Sequence, residues 1–396
     1  MQLNFSTVSE PSIAGAKWKG LFDLHWSRYR SWFVSEQNEQ TPDLQTSQDA
    51  LKKYMPKMWA TYVHLCSITN ADPVLARFLT GFQPPAYVNA CAQAVIKADE
   101  IQLVRNYDYH PDLLEGTILL SKWNTHKVMG TSDSMIGLVD GMNDAGLCLS
   151  LTFGGRKEVG HGFGIPFILR YVLEFCSNTS EAVKVLKSIP SHMSYNVTIV
   201  DKKGTSKTVM LAPDKPTLVT NDAFATNHQG EIDWPENAHF NQTTKRYNFL
   251  KNYLNTKNLS ANELAKAFLY SPLYTTKFTE GFGTLYTAVY QPKNLIMKVL
   301  WLDQAIERSF ANFKEEQLLI SYKSIDEPVI PSDTWKPAHL ESIGYSWQAA
   351  VLDSLVNGMI GKKTKRKQQE LRDRLMPKGE IAWEEVVEYW NEPVEY

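Results

Sequence analysis

The apolar positions of this chain change texture twice along its length. Up to about residue 90 they recur at helical spacing. Trp18, Phe22, Trp26, Tyr29 and Phe33 fall on one helical face, and a second helix is predicted over 49–68. The Pro84-Pro85 pair then breaks the chain. From Ala90 onward the apolar runs become short and strand-like, separated by polar turns. Residues 92–98 and 101–107 flank Asp99-Glu100, 193–200 and 206–211 flank Asp201 to Gly204, and 284–290 and 295–302 flank Gln291 to Asn294. Each pair reads as a hairpin, and 146–153 reads as a buried strand. Helices are predicted between them: 167–175, preceded by Pro166 as a first helical residue; 181–189, capped by Ser180; and 260–269. After about residue 330 the pattern turns helical and charged. Hairpins interleaved with grouped helices predict an α+β fold of antiparallel sheets covered by helices.

Composition narrows the class. The chain has 396 residues, 43% hydrophobic and 21% charged, which is ordinary for a globular protein that buries a sizeable core. A formal net charge of -2 gives no field that would gather nucleic acid or acidic membranes. The basic run of Lys362, Lys363, Lys365, Arg366 and Lys367 is offset by Glu370 and Asp373 and reads as a solvated helix face. Cys66, Cys91, Cys148 and Cys176 fit neither a disulfide framework nor a CxxC metal site, so free thiols in a reducing compartment are expected. No secretory leader and no apolar run of membrane-spanning length is visible, and a cytoplasmic protein is expected. The five Asn-x-Ser/Thr sequons would matter only in a secreted protein.

Several familiar catalytic signals fail. The glycine-rich stretch from Gly154 to Gly164 lacks the GK[ST] ending of a phosphate loop and reads better as the wall of an organic substrate pocket. There is no GxSxG elbow and no HExxH, and the nine histidines show no ligand spacing, so neither a metal nor another cofactor is expected. Cys91 stands out by its neighbours. With Asp99-Glu100 as the turn, Cys91 falls opposite Asp108, with Cβ atoms about 5 Å apart. Regular alternation then sends Arg105 to the other face, and a bulge near Asn106 would be needed to bring it back. A cysteine beside charged groups can be a nucleophile. A lone cysteine is more often a small core residue, and an Arg-Asp pair more often a surface ion pair.

The order of motifs resembles the penicillin acyltransferase family of N-terminal-nucleophile cysteine hydrolases, which is related to choloylglycine hydrolases and acid ceramidase. The resemblance runs from about Ala90 to Leu302. It rests on a cysteine at a strand start, the segment Arg105-Asn106-Tyr107-Asp108, the strand entry Asp140 to Leu147, Phe153-Gly154-Gly155-Arg156 leading to Gly162-Phe163-Gly164-Ile165-Pro166, the triplet Thr226-Asn227-His228, and Thr244-Lys245-Arg246. The sequence departs from relatives at Thr152, where bile salt hydrolases carry an asparagine, and at Ala92.

The resemblance implies a four-layer αββα sandwich at 91–330, preceded by a helical pro-segment at 1–90 and followed by a helical extension at 331–396. It implies that Cys91 is the nucleophile and becomes the first residue of the mature chain, with its α-amine as general base. Arg105 and Asp108 would orient and tune the thiol, Asn227 would donate to the oxyanion, and Arg246 would hold the Asn227 and Asp108 side. Thr152, Phe153, Gly154 and Arg156 would line the substrate site. The expected reaction is cleavage of a non-peptide amide, or transfer of its acyl group. An acyl-CoA-dependent N-acyltransferase, a papain-like pairing with His228, and a non-catalytic binding protein of the same fold stay open. The expected partner is a small N-acyl amide or acyl-CoA-type molecule; the oligomeric state is not legible.

Overall fold

Two sheets face each other in the computed structural model, which describes residues 1–10, 12–278 and 282–322. The predicted helical extension at 331–396 and the basic run lie outside the described residues. One sheet has nine strands in the order β10 (Leu218–Thr220), β9 (Ser206–Leu211), β8 (Tyr195–Asp201), β7 (Leu147–Phe153), β6 (Gly137–Asn143), β5 (Val128–Asp133), β4 (Thr117–Ser121), β1 (Gln2–Glu10) and β15 (Glu316–Ser321). The other has six: β11 (Phe224–Ala225), β2 (Ala90–Lys97), β3 (Ile101–Tyr109), β12 (Gly283–Gln291), β13 (Ile296–Leu300) and β14 (Ala305–Ser309). β2 packs face to face with β7 and β8, and β12 with β6. Helices α5 (Ile165–Phe175) and α6 (Thr179–Ser188) cover the nine-stranded sheet, while α8 (Thr243–Tyr253) and α9 (Ala261–Ala267) cover the six-stranded one. The layers are therefore αββα, as the resemblance implied.

Local chemistry explains where the elements begin and end. Pro56 opens a short 3-10 turn that splits the single helix expected over 49–68 into α2 (Leu44–Tyr54), capped by the Asp43 side chain, and α3 (Trp59–Ile68). Asn178 caps α6 by accepting from the Glu181 N–H, so Ser180 is already inside the helix. Ser260 and Glu263 form a capping box at α9.

Two expectations are corrected. The first ten residues are not helical: β1 lies inside the nine-stranded sheet, parallel to β4 and antiparallel to β15. Phe5 and Thr7 point inward at 1% and 2% exposure while Asn4 and Ser6 face outward or half-out, a period-two pattern too short and too polar to stand out. The helical segment proper begins with α1 (Ala16–Ser35), where Trp18, Phe22 and Phe33 are buried. The second correction concerns the β2-β3 hairpin. Its loop is Ala98-Asp99-Glu100, three residues rather than two, closed by Ala98 N–H donating to the Glu100 carbonyl at 3.2 Å. Cys91 consequently pairs with Tyr107, and Asp108 pairs with Ala90. A shift of one residue changes which side chains share a face. Cys91, Gln93, Arg105 and Tyr107 all turn into the space between the sheets, and no bulge in β3 is needed to bring Arg105 to Cys91.

Phe5 meets Tyr286 of β12 and Trp301 edge-on, at centroid distances of 6.3 and 4.9 Å. This contact makes β1 part of the core rather than a detachable arm. Phe5→Ala is expected to cost about 3–5 kcal/mol, read as a lower denaturation midpoint at unchanged m-value. A loss near zero would mean the strand is peripheral.

Candidate active site

Cys91 sits at the start of β2, where the chain enters the sheet, and its side chain is fully buried. On the inter-sheet side, Arg105 Nη2 donates to its Sγ at 3.0 Å. Three further contacts fix that guanidinium. Nε donates to the Leu151 carbonyl of β7 at 3.1 Å, Nη1 pairs with the Asp140 carboxylate of β6, and Nη1 also reaches Tyr286 Oη at 3.3 Å. The Tyr107 ring lies 4.7 Å from the guanidinium carbon. Burial pushes the Cys91 thiol up to about 11, with Arg105 pulling the other way and Asp108 adding to the rise. In the continuous chain the sulfur is therefore a neutral thiol at working pH.

A second arginine approaches from the helical layer. Arg246 on α8 donates through Nη1 to Asp108 Oδ2 at 2.8 Å and through Nη2 to Asn227 Oδ1 at 2.7 Å. Asp108 Oδ1 accepts from Thr284 Oγ1 at 2.7 Å. Asn227 Oδ1 also accepts from the backbone N–H of Cys91 at 3.1 Å, and its Nδ2 donates to the Phe153 carbonyl at 3.2 Å. Because Arg246 only donates, it fixes which end of the Asn227 amide is oxygen. Arg246, Asp108 and Asn227 are all buried. The nitrogen that would become the α-amine of a cut chain already lies within this network.

The other predicted residues divide. Phe153 touches the site through its carbonyl. Thr152 turns its hydroxyl to the Thr226 carbonyl at 2.8 Å and accepts from Asn196 Nδ2 at 3.0 Å, so its side chain supports the turn that carries Asn227. Gly154 N–H donates to the Ser194 carbonyl at 2.7 Å. The next residue, Gly155, has φ +73°, and a Cβ there would come within 2.4 Å of the Asn227 carbonyl oxygen, so glycine lets this loop lie against the Asn227 segment. Arg156 pairs with acidic side chains. Its guanidinium is held bidentately by Asp214 at 2.6 and 2.8 Å and by Asp233 at 2.6 Å. His228 directs Nδ1 to Thr243 Oγ1 at 2.9 Å. Asn221, six residues before Asn227, is exposed beside Lys207. No group of three or more His, Cys, Asp or Glu side chains that could hold a metal occurs among the described residues, and none of the described helices is long and apolar enough to cross a membrane.

Sequence reasoning quoted Asp140 within a motif but gave it no part, and it passed over Tyr286 and Asn196. A charged residue inside the apolar run Gly137-Leu138-Val139-Asp140-Gly141 was the available signal for Asp140.

No curated protein sequence is similar enough to match. Among solved structures, a mutant conjugated bile acid hydrolase from Clostridium perfringens is 13% identical over 60% of this chain and 99% of its own, with a TM-score of 0.41. Penicillin V acylase from Agrobacterium tumefaciens is 14% identical over 56% of this chain and 86% of its own, also at 0.41. A Caenorhabditis elegans ortholog of N-acylethanolamine-hydrolyzing acid amidase is 16% identical over 59% of this chain and 100% of its own, at 0.39. The family described as acyl-coenzyme A:6-aminopenicillanic acid acyl-transferase matches residues 97–305, just over half of the sequence, starting six residues after Cys91. This chain belongs to that acyl-transferase family.

Proposed function

We propose that this protein is a cysteine enzyme that forms an acyl-enzyme on Cys91 and passes the acyl group from a small-molecule amide or thioester to water or to an amine. The observation that carries the reading is the position of Cys91 between two buried arginine networks. Its thiol meets Arg105, and its backbone nitrogen meets the Asn227 side-chain oxygen that Arg246 anchors. The first step is self-cleavage. The Cys91 thiol attacks the Ala90 carbonyl, the C–N bond breaks as a C–S bond forms, and water hydrolyses the thioester, leaving an Ala90 carboxylate and a free Cys91 α-amine. The small Ala90 side chain leaves room for this attack.

In the cut enzyme the α-amine accepts the thiol proton, and the thiolate attacks the substrate carbonyl. A donor on Asn227 stabilises the oxyanion. The collapsing intermediate expels the leaving amine, which takes the proton back from the α-ammonium, and the acyl-thioester then meets water or an acceptor amine. An α-amine titrates near pH 8, so a base is available at working pH without a histidine. The family's description favours an acyl-CoA donor as a second reading; it differs only in which acyl donor loads Cys91 and which acceptor outruns water.

Four outcomes test this. Denaturing mass spectrometry of active protein is expected to find two chains, the larger beginning at Cys91, whereas Cys91→Ala gives one uncut, inactive chain. Fully active single-chain protein would contradict the α-amine mechanism. Thiol labelling should change order with processing. In an uncut chain the half-exposed Cys66 reacts before the buried Cys91, while in the cut enzyme Cys91 leads; fast Cys91 labelling in the uncut chain would contradict the buried geometry. Asn227→Ala should lower kcat about a hundredfold with little change in KM, and Asn221→Ala should be mild. kcat/KM should rise with pH through an inflection near 8 as the α-amine loses its proton, and a flat profile there would count against that base.

A further inference from the structure

Asp140 stands on β6, in the sheet opposite Cys91, and its carboxylate is fully buried. Each oxygen takes two donors. Oδ2 accepts from Arg105 Nη1 and from Tyr286 Oη at 2.8 Å, and Oδ1 accepts from Thr131 Oγ1 at 2.9 Å and Tyr290 Oη at 2.5 Å. The four donors come from β3, β5 and β12, so the carboxylate is held from both sheets at once. Burial first, and then Asp140 itself, push both tyrosines well above their ordinary value, so they remain donors throughout the working range. The planar guanidinium transmits this constraint. With Nη1 fixed on Asp140 and Nε on the Leu151 carbonyl, Nη2 has one direction left, and it points at the Cys91 sulfur.

We propose that Asp140 is a positioning residue for the thiol chemistry, acting through Arg105: it fixes the guanidinium against Cys91 and balances its charge so that the thiol keeps its proton until the base removes it. The proposal rests on Cys91 being the nucleophile. An unopposed cation beside a thiol favours thiolate and lowers nucleophilicity as it lowers the pKa. Without Asp140 the thiol should ionise too early, and Arg105 should no longer be held in register.

The test uses the cut, active enzyme and follows the iodoacetamide reaction rate of Cys91 against pH alongside kcat and KM. Asp140→Asn is expected to move the alkylation inflection to lower pH and to lower kcat about a hundredfold, with KM within about twofold of wild type. Asp140→Glu restores the charge but not the reach, so its inflection should return to the wild-type position while kcat stays reduced. A purely structural role would lower stability and kcat without moving the inflection. If Asp140→Asn does not fold, Thr131→Val removes one of the four donors, and kcat should fall about threefold at unchanged KM; wild-type kcat in that variant overturns the proposal. Turnover that survives Cys91→Ala would overturn the nucleophile assignment and this proposal with it. Cys91-dependent turnover with an unmoved inflection in folded Asp140→Asn overturns this proposal alone.

Discussion

A guanidinium with no exposure to solvent lies between a thiol and a carboxylate, and the rest of the structure is arranged to make that tolerable. Removing an arginine from water costs several kcal/mol unless its donors are met. Arg105 meets them with Asp140, the Leu151 carbonyl, Tyr286 and Cys91, taken from both sheets. The two sheets cannot slide or change register without breaking this set. The three-residue loop at Ala98-Asp99-Glu100 matters for the same reason, since one residue fewer would turn Arg105 away from Cys91.

The helical layer contributes the other half. Arg246 reaches through the six-stranded sheet's outer face to Asp108 and Asn227, and Asn227 in turn holds the Cys91 backbone nitrogen. Thus the thiol is governed from the inter-sheet side and the nitrogen from the helical side. Under the proposed mechanism, that division suits a residue that is nucleophile and base at once, because each function has its own electrostatic surroundings.

Much of this was legible in the sequence, for identifiable reasons. Period-two runs bounded by Asp201-Lys202-Lys203-Gly204 and Gln291-Pro292-Lys293-Asn294 give hairpins with little ambiguity. Arg105, Asp108, Asn227 and Arg246 were named from motif order, and they lie around Cys91 in space. What failed was set by short-range detail or by tertiary structure. Loop length at Asp99 could not be counted from propensity, so the face of Arg105 was misjudged. β1 alternates too few apolar residues to be seen, and its pairing with β4 and β15 depends on chain more than a hundred residues away. The pairing of Arg156 with Asp214 and Asp233 was not foreseen either, because those carboxylates come from distant turns that no spacing rule connects to it.

Membership of an acyl-transferase family and a buried, doubly anchored cysteine together make acyl transfer through Cys91 the central claim. It is tested most directly by trapping the intermediate. Active enzyme is mixed with a slow N-acyl amide or acyl thioester, quenched in acid within one turnover, digested and analysed by mass. One acyl group per enzyme is expected, carried on the peptide that begins at Cys91 and absent after hydroxylamine treatment. An acyl group found on another residue, or turnover with no trapped acyl at Cys91 under burst conditions, would contradict it.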